Sequence, residues 1–216
     1  MPRLRPYAIR NTPPGGAPAP TRAAPPKPED LTPNQFARRK RIIDAGVTLM
    51  LTRDYEDIQI REVAAAASLA LGTVYRYFAS KEHLFAAVFF AWLTDLSEEI
   101  EVEPAAGADN RARLNDVLSR TIRAFEQHPT FYNLLVMTNR TSDPFVRQTR
   151  NAMQENSERV LAAPLVGVSD EDRTVVVMVV GAMLEAALGS WLSGAISIDD
   201  VYTRTARLVS LLRLPD

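Results

Sequence analysis

The chain contains no cysteine, and its 216 residues include two histidines, His83 and His128. A disulfide framework, a thiolate nucleophile and a cysteine-bearing zinc site are therefore excluded, and so is a site built from several histidines. The Gly-x-Ser-x-Gly elbow, the Walker loop, Gly-x-Gly-x-x-Gly and His-Glu-x-x-His are also missing. We therefore expect a protein that is not an enzyme, with no metal and no cofactor, in a reducing cytoplasm.

Proline is scarce outside the N-terminal segment, because ten of the fifteen prolines lie in the first 33 residues. Such a segment cannot propagate a helix and buries little apolar surface, so residues 1–31 are predicted to form a disordered arm of partly polyproline character. It does not resemble a secretory signal, since Arg3, Arg5 and Arg10 lead into Pro, Ala and Gly rather than into an apolar run.

Acidic residues are rare at the same end. Residues 1–41 carry nine basic and two acidic side chains, a net charge of +7, whereas the whole chain has a net charge of −1. A basic end on an acidic body favours an anionic partner contacted from one side, either nucleic acid or a membrane surface. A solvated basic tail has the same charge, so charge alone leaves these readings open.

One long apolar run is present, the 25 residues from 174 to 198. Its length is sufficient to cross a bilayer, but Glu185 near the middle and several Gly and Ser residues lower its hydrophobicity, so we expect no membrane span. Small residues at a spacing of four, Ala182, Ala186 and Ser190, instead favour close packing against another helix of a bundle or a dimer.

Helix start signals recur from residue 32 onward, whereas strand signals are weak. Thr32 precedes Pro33 and Gln35, which are a capping residue, a proline at the first helical position and an amide at the third. Similar starts are formed by Asp143 with Pro144, Ser169 with Asp172 and Ser197 with Asp200. We predict an all-α chain of about nine helices, near residues 33–52, 59–66, 70–77, 80–102, 109–128, 130–139, 143–163, 170–194 and 198–213.

The most informative stretch is residues 57–82. It is predicted to form a helix-turn-helix, made of a short Ala-rich helix at 61–67, a corner at 68–70 and a second short helix at 71–77. The second helix of such a motif can enter the major groove of DNA. The small residues Ala64 and Ala67 stand where the two helices must cross. A small core with the first helix is expected from Val63, Leu69, Val74 and Phe78.

The outward side of the second short helix is rich in hydroxyls, bare backbone and positive charge. These groups come from Gly72, Thr73, Tyr75, Arg76 and Tyr77. They suit phosphates and base edges better than the surface of a purely structural corner, where Glu and Lys are more usual. A second basic patch is supplied by Arg38, Arg39, Lys40 and Arg41.

This stretch resembles the DNA-binding signature of the TetR family of bacterial transcriptional regulators. The matching features are Ile60-Arg61-Glu62-Val63-Ala64, the pair Gly72-Thr73, the aromatic run Tyr75-Arg76-Tyr77-Phe78, and Ser80-Lys81-Glu82 followed by Leu84. Three positions depart from the family pattern. Ser68 replaces the usual turn glycine, Ala70 replaces a capping Ser or Thr, and Leu71 replaces a Lys or polar residue.

The resemblance implies the DNA contacts and the domain organisation. The implied contacts are Arg38, Arg39, Gln59, Arg61, Leu71, Gly72, Thr73, Tyr75, Arg76, Tyr77 and Lys81. Among them Tyr75, Tyr77 and Lys81 are expected to hold phosphates, while Gln59, Arg61, Thr73 and Arg76 are candidates for base edges. The implied domains are the arm at 1–31, a helix-turn-helix DNA-binding domain at 32–82, and an effector-binding and dimerisation domain at 83–216.

The same resemblance implies an effector pocket among the middle helices and dimerisation through the last two, about 170–194 and 198–213. The expected pocket residues are Phe89, Trp92, Phe125, Tyr132, Met137, Phe145, Met153 and Met183, although such side chains at helical spacing also simply fill cores. Asn133, Thr138, Asn139, Gln154 and Glu185 are the polar groups that would orient a ligand. Residues 191–212 and 38–84 are more loosely similar to actinobacterial regulators of steroid and fatty-acid catabolism. The expected effector is a small apolar or amphipathic molecule.

The implied function is a ligand-responsive, DNA-binding transcriptional regulator: a homodimeric repressor that a small-molecule effector releases from its double-stranded operator, in the cytoplasm and on the nucleoid. Two alternatives remain at this point. An enzyme lacks any supporting signature. An all-helical lipid carrier or interaction module explains the apolar interior equally well, but it leaves the Gly72–Phe78 run unexplained.

Overall fold

The computed structural model describes residues 24–102 and 109–215, and all regular structure in these two ranges is helical. The α-helices there are α1 (Pro33–Met50), α2 (Ile60–Ala66), α3 (Leu71–Tyr77), α4 (Lys81–Val102), α5 (Asn110–Gln127), α6 (Thr130–Arg140), α7 (Pro144–Ala162), α8 (Asp170–Leu192) and α9 (Ile198–Leu211). The predicted all-α fold with nine helices is confirmed for this part of the chain, and no predicted helix end differs by more than two residues.

Two short 3₁₀ turns were not predicted, at Pro28–Asp30 and Tyr55–Asp57. Residues 1–23 of the predicted arm lie outside the described residues. In its remainder, Leu31 packs against the core next to the first 3₁₀ turn, so ordered chain begins a few residues before the expected boundary at residue 32.

Local capping explains where the helices begin. Thr32 Oγ1 accepts the Gln35 backbone N–H at 3.4 Å, while Gln35 Oε1 accepts the Thr32 backbone N–H at 2.9 Å. Ser197 and Asp200 form the same reciprocal arrangement at α9, and Ser169 caps α8. These three predicted starts are confirmed, because each side chain satisfies an N–H group that the helix leaves without an internal partner.

The first three helices enclose a small core together with the start of α4. Val63, Val74 and Phe78 are at most 1% exposed, and Ala64 and Ala67 are buried at the crossing of α2 with its neighbours, as predicted. Leu69 is half-buried and packs against this core. Helix α1 crosses α4 so closely that a Cβ added at Gly46 would lie 2.5 Å from Val88 Cγ2.

The corner between α2 and α3 is a left-handed helix end at Ser68, whose φ is +54°. The Leu69 N–H donates to the Ala64 carbonyl and the Ser68 N–H to the Ala65 carbonyl, each at 2.9 Å. This pair of bonds is the Schellman arrangement, in which the left-handed position is usually glycine. Ser68 therefore holds the required geometry with a residue that is strained there.

The remaining helices form a bundle around α4, which also packs against α1 and so connects both halves of the chain. Helices α6 and α7 pack on α4, α5 packs on α9, and α8 lies between α7 and α9. The buried Asn110 amide donates to the carbonyls of Val166 and Pro215, each at 2.9 Å. This side chain ties the α7–α8 loop and the end of the described chain to the start of α5.

Helix α8 is long and apolar enough to cross a membrane by length and composition alone. In the folded chain, 28% of its most apolar window is buried. Its buried side contains Val177, Val180, Leu184 and Leu188 and faces the bundle. Its other side exposes Val175, Met178 and Val179, with exposed fractions of 50%, 63% and 38%. The described chain thus leaves one apolar side of α8 without a partner.

Replacement of Ser68 by glycine is expected to stabilise the fold. A non-glycine residue in the left-handed region destabilises the folded chain by about 1–2 kcal/mol. Glycine removes this cost, but its greater backbone freedom in the unfolded chain offsets about 0.5–1 kcal/mol of the gain. We expect Ser68→Gly to raise the free energy of unfolding by about 0.5–1 kcal/mol in urea titrations.

Ser119→Gly, inside α5 where the backbone is helical, is the matched control and should lower the free energy of unfolding by about 0.5 kcal/mol. If both variants destabilise the protein to the same extent, Ser68 carries no relievable strain.

Candidate DNA-binding surface and effector cavity

Helix α3 divides its residues between the core and the surface. Leu71, Gly72 and Arg76 are exposed, while Thr73 and Tyr75 are half-buried. Val74 and Tyr77 are buried, and the helix packs against α1 and α2. The side of α3 that remains accessible therefore presents backbone, a hydroxyl residue and a guanidinium.

Further exposed polar groups lie at the start of α2, which packs against α3. Gln59 and Arg61 are exposed at the start of α2. The Gln59 backbone N–H donates to Glu62 Oε2 at 2.8 Å, and Arg53 pairs with Glu62 Oε1 at 2.7 Å. The hydrogen bond from Arg53 lowers the pKa of Glu62, so this carboxylate stays ionised and fixes the point where α2 begins.

The basic patch at residues 38–41 is largely engaged inside the head, the name we give to α1–α3. The Arg41 guanidinium donates to the Ala67 carbonyl at 3.1 Å, Lys40 pairs with Asp44 at 2.9 Å, and Arg39 lies 5.1 Å from the centre of the Phe78 ring. Arg38 is exposed and has no hydrogen bond or ion pair with a described residue. Arg41 thus holds the corner between α2 and α3, and Arg38 is the member of the patch most available to an external partner.

Lys81 lies beside the head with its ammonium group partly enclosed. Its Nζ donates to the Glu56 carbonyl at 3.2 Å and stands 4.3 Å from the centre of the Tyr55 ring. Burial lowers the pKa of Lys81. Burial also raises the pKa of Tyr55 to about 12, and the Tyr55 hydroxyl donates to Glu82 at 3.4 Å.

A pair of linked caps joins the start of α4, beside the head, to the start of α7. Ser80 Oγ accepts the His83 backbone N–H at 3.0 Å at the start of α4 and donates to Asp143 Oδ2 at 2.6 Å. Asp143 Oδ1 accepts the Phe145 N–H at 2.8 Å and so caps α7. One carboxylate therefore caps α7 and holds the hydroxyl that caps α4.

His83 reinforces this junction by ring stacking. Its imidazole lies parallel to the Phe145 ring at 5.1 Å and edge-on to Phe78 at 5.3 Å. Burial, with a smaller contribution from Arg39, lowers the pKa of His83 to about 4. The ring is therefore neutral near pH 7, and its Nδ1 accepts the Ala79 backbone N–H at 3.2 Å.

A cavity of 780 Å³ lies between α4, α5, α6, α7 and α8 and opens to solvent beside α8, where the exposed Met178 and Ala182 belong to its lining. Its walls are mainly apolar and include Phe89, Leu93, Phe125, Met153, Leu184 and Leu188. Its polar lining includes Thr138, Asn139, Arg150, Gln154, Arg173 and Glu185. An apolar cavity of this size with a few converging polar groups is typical of a site for a small organic molecule.

The polar groups of the cavity are connected to one another in pairs. Asn139 Nδ2 donates to Glu185 Oε1 at 3.0 Å, and Gln154 Nε2 donates to Glu158 Oε1 at 2.8 Å. Arg150 donates to the Thr138 carbonyl at 3.3 Å. Within the part of the chain that the structure describes, no group of three or more metal-ligating side chains occurs.

Comparison with known proteins gives a consistent family. The profile of bacterial regulatory proteins of the tetR family matches residues 42–88, which are the second half of α1, α2, α3 and the start of α4. The HTH-type transcriptional repressor KstR of Rhodococcus jostii (strain RHA1) is 30% identical over 186 residues, which are 85% of this chain and 87% of that protein. The chain belongs to the TetR family. KstR of Mycobacterium tuberculosis is 29% identical and is matched over 82% of this chain and 81% of that protein.

Solved structures agree with the TetR-family fold over both halves of the chain. A TetR transcriptional regulator from Rhodococcus sp. RHA1 has a TM-score of 0.73 at 22% identity, over 84% of this chain and 100% of that chain. FadR from Bacillus subtilis, solved with stearoyl-CoA, has a TM-score of 0.60 at 19% identity, over 79% of this chain and 96% of that chain. The protein is a DNA-binding transcriptional regulator and not an enzyme.

The cavity of this TetR-family protein contains three of the eight predicted apolar residues, Phe89, Phe125 and Met153. The other five do not line this cavity, because other contacts hold them elsewhere, and their role in effector binding stays a prediction. Two of them are held by ring stacking, Trp92 on Phe131 at 4.4 Å and Phe145 on His83. Two are held by hydrogen bonds, since the Tyr132 hydroxyl donates to the Glu185 carbonyl and the Met183 sulfur accepts the Thr205 hydroxyl. Met137 packs into the core.

The polar predictions fare better, since Thr138, Asn139, Gln154 and Glu185 all line the cavity. Asn133 does not, because its amide donates to Asp54 in the loop after α1 at 3.0 Å. The sequence interpretation missed Arg150 and Arg173. Arg150 precedes Met153 and Gln154 by one helical turn on α7, and that spacing is the signal that could have identified it.

One of the predicted DNA contacts, Tyr77, is buried. Tyr77 was expected on the outward side of α3, but it is 2% exposed and belongs to the core. The expectation of an outward side chain is wrong because Val74, Tyr77 and Phe78 together form the inner side of this short helix. The other predicted contacts are exposed or half-buried and stay predictions.

Gly72 offers a sharp test of close approach by DNA. A Cβ added there meets no atom within 4 Å, so the fold itself does not require glycine at this exposed position. We expect Gly72→Ala to leave the free energy of unfolding unchanged or to raise it by up to about 1 kcal/mol, because alanine favours the helix. Operator affinity should fall at least about tenfold, because a methyl group obstructs the approach of the DNA backbone to α3.

Chemical denaturation and fluorescence anisotropy with an operator duplex measure the two effects on the same preparation. Unchanged DNA affinity would show that the duplex does not approach Gly72.

Proposed function

We propose that this TetR-family protein is a homodimeric repressor that binds a two-fold operator through α2 and α3 and leaves it when a small apolar or amphipathic molecule enters the cavity. It acts in the cytoplasm on the nucleoid, and it makes no membrane contact. The observation that carries the proposal is the pair of linked caps, Ser80 and Asp143, which join the cavity-lining helix α7 to the turn that connects the head to α4.

DNA binding is assigned to the accessible side of the head. Arg76 and Arg61 are exposed and can reach guanine edges, while Arg38 can reach a phosphate. Gln59, Thr73 and Tyr75 add amide and hydroxyl groups, and Leu71 adds an apolar contact. Arg39 and Lys81 would contact phosphate from the ring surfaces of Phe78 and Tyr55, on which they lie.

Dimerisation is assigned to α8 and α9 because of the uncovered side of α8. The exposed residues Val175, Met178, Val179, Ala182 and Ala186 recur at helical spacing along one stripe. The alanines permit close approach of a second helix, and the larger side chains supply apolar area that a monomer would leave in water. A two-fold pairing of these helices places two heads on successive major grooves.

Release follows from the position of α7. This helix lines the cavity with Arg150, Met153 and Gln154, and its first residues contact Ser80 and His83 beside the head. A molecule that fits the cavity only after α7 shifts would favour a dimer whose heads no longer match the operator spacing. The names of the KstR relatives support repression as the direction of control.

The lipid-carrier alternative accounts for the cavity but gives no role to the exposed Arg76 and Gly72. A footprint on the DNA upstream of the gene, over a series of salt concentrations, separates the two functions. The regulator should protect a two-fold site and lose affinity steeply with salt, because basic residues displace counterions from phosphates. Absence of protection after extraction of bound small molecules would favour the carrier.

Arg76→Ala tests base reading on that operator. We expect a loss of about 1–3 kcal/mol in discrimination between operator and random duplex, measured by competition binding. Arg147→Ala removes the same charge from an exposed position on α7 and should leave discrimination unchanged. Equal losses on operator and random DNA would assign Arg76 to phosphate instead.

Val175→Glu tests the proposed dimer, because Val175 belongs to the stripe but does not line the cavity. A carboxylate on both copies within the stripe should convert the dimer to a monomer in sedimentation equilibrium, because the desolvated charges repel each other. Val166→Glu is the control, since it is the same substitution at a residue that is 64% exposed, against 50% for Val175, but lies in the loop before α8. A Val175→Glu protein that stays dimeric would place the interface elsewhere.

A further inference from the structure

We infer that the effector is an amphipathic carboxylic acid whose carboxylate pairs with Arg150 while its apolar body occupies the rest of the cavity. This inference rests on the proposed function, because it names the chemical class of the molecule that enters the cavity. The juxtaposition that supports it is a half-buried guanidinium without an acidic partner at the wall of an otherwise apolar space.

Arg150 has unused hydrogen-bonding capacity. It is half-buried, and its single hydrogen bond to a described residue joins Nη1 to the Thr138 carbonyl at 3.3 Å. No described carboxylate lies within 4.0 Å of it. A guanidinium offers a planar set of N–H donors that matches a carboxylate in two parallel hydrogen bonds, so most of this donor set is available to a ligand.

The other charged groups of the cavity do not neutralise Arg150. Glu185 is bound to Asn139 at 3.0 Å, and Glu158 is bound to Gln154 at 2.8 Å. Both glutamates are exposed, so water solvates their charge, whereas Arg150 is partly removed from water. Arg173 already pairs with Asp170 at 3.0 Å and with the Val168 carbonyl at 2.9 Å. Arg150 is therefore the cavity cation that most needs an anionic partner.

Arg173 also lines the cavity, but it is not the anchor. Its Nε has no hydrogen-bond partner among the described residues, yet this atom is fully buried, so a ligand in the cavity does not reach it. The main anchor is Arg150, because the Arg173 guanidinium already pairs with Asp170.

The size and walls of the cavity define the apolar part of the ligand. A volume of 780 Å³ is in the upper part of the usual range for small-molecule sites, roughly 300–1,000 Å³. Most of the ligand surface would face apolar side chains, which offer neither charge nor hydrogen bonds, such as Phe89, Leu93, Phe125 and Leu188. A long-chain or polycyclic acid meets both requirements, whereas a short polar acid would leave most of this wall uncovered.

The bond from Arg150 to the Thr138 carbonyl also gives it a structural role near the end of α6. A purely structural arginine and a ligand-binding arginine differ in one measurable respect. Both affect stability when replaced, but only the ligand-binding arginine distinguishes a carboxylate from a neutral compound of the same shape.

The experiment measures binding of two matched pairs to the dimeric, ligand-extracted protein by calorimetry: palmitic acid against hexadecanol, and cholanic acid against its methyl ester. At least one acid should bind about tenfold or more tightly than its neutral counterpart, because a paired guanidinium–carboxylate interaction is lost with the charge. Arg150→Gln should abolish this preference, and Arg150→Lys should keep part of it because the positive charge remains.

Arg147→Gln is the matched control, since it removes the same charge from an exposed position one turn earlier on α7 and should keep the preference. Thermal unfolding of each variant identifies any loss of binding that is due to misfolding. An Arg150→Lys protein with the same unfolding temperature as the wild-type protein keeps the test valid. Equal binding of acids and neutral counterparts, no binding of either acid, or equal loss in Arg147→Gln would overturn the inference. The operator footprint of the ligand-free protein tests the proposed function separately.

Discussion

The hydrogen bond between Ser80 and Asp143 connects two helices that have different tasks. Each residue caps its own helix, so the bond couples the start of α4, beside the head, to the start of α7, beside the cavity. A hydrogen bond to a charged group is among the stronger single interactions in a protein, and here it is partly shielded from water. Stacking of His83 on Phe145 adds a rigid apolar contact at the same place.

This junction limits how the two halves of the chain can move. The head is also tied to α6, because Thr130 donates to the Met50 carbonyl at 2.8 Å and Asn133 donates to Asp54 at 3.0 Å. A displacement of α6 or α7 by a ligand must therefore either carry the head with it or break these bonds. Both outcomes change the position of α3, which is the physical requirement for a regulator that responds to a small molecule.

Prediction from the sequence succeeded where a residue's role depends on its neighbours in the chain. Capping residues, prolines and apolar spacing located the nine α-helices of the described residues but not the two 3₁₀ turns, and the small residues of α2 were correctly placed at its crossing. Prediction was weaker for the cavity. Helical periodicity shows that Phe89 and Trp92 both point inward, but it cannot show that Phe89 meets empty space and Trp92 meets the Phe131 ring. Polar residues were better markers, since four of the five predicted ones, Thr138, Asn139, Gln154 and Glu185, line the cavity.

The sequence alone determined the order and ends of the helices, the helix-turn-helix and the family, because these follow from interactions between residues a few positions apart. Only the tertiary structure decided that Ser80 meets Asp143, 63 residues away, that Tyr77 is buried, and that Arg150 reaches the cavity without an acidic partner. These properties depend on how helices pack, and packing is decided by the fit of whole surfaces rather than by any local pattern.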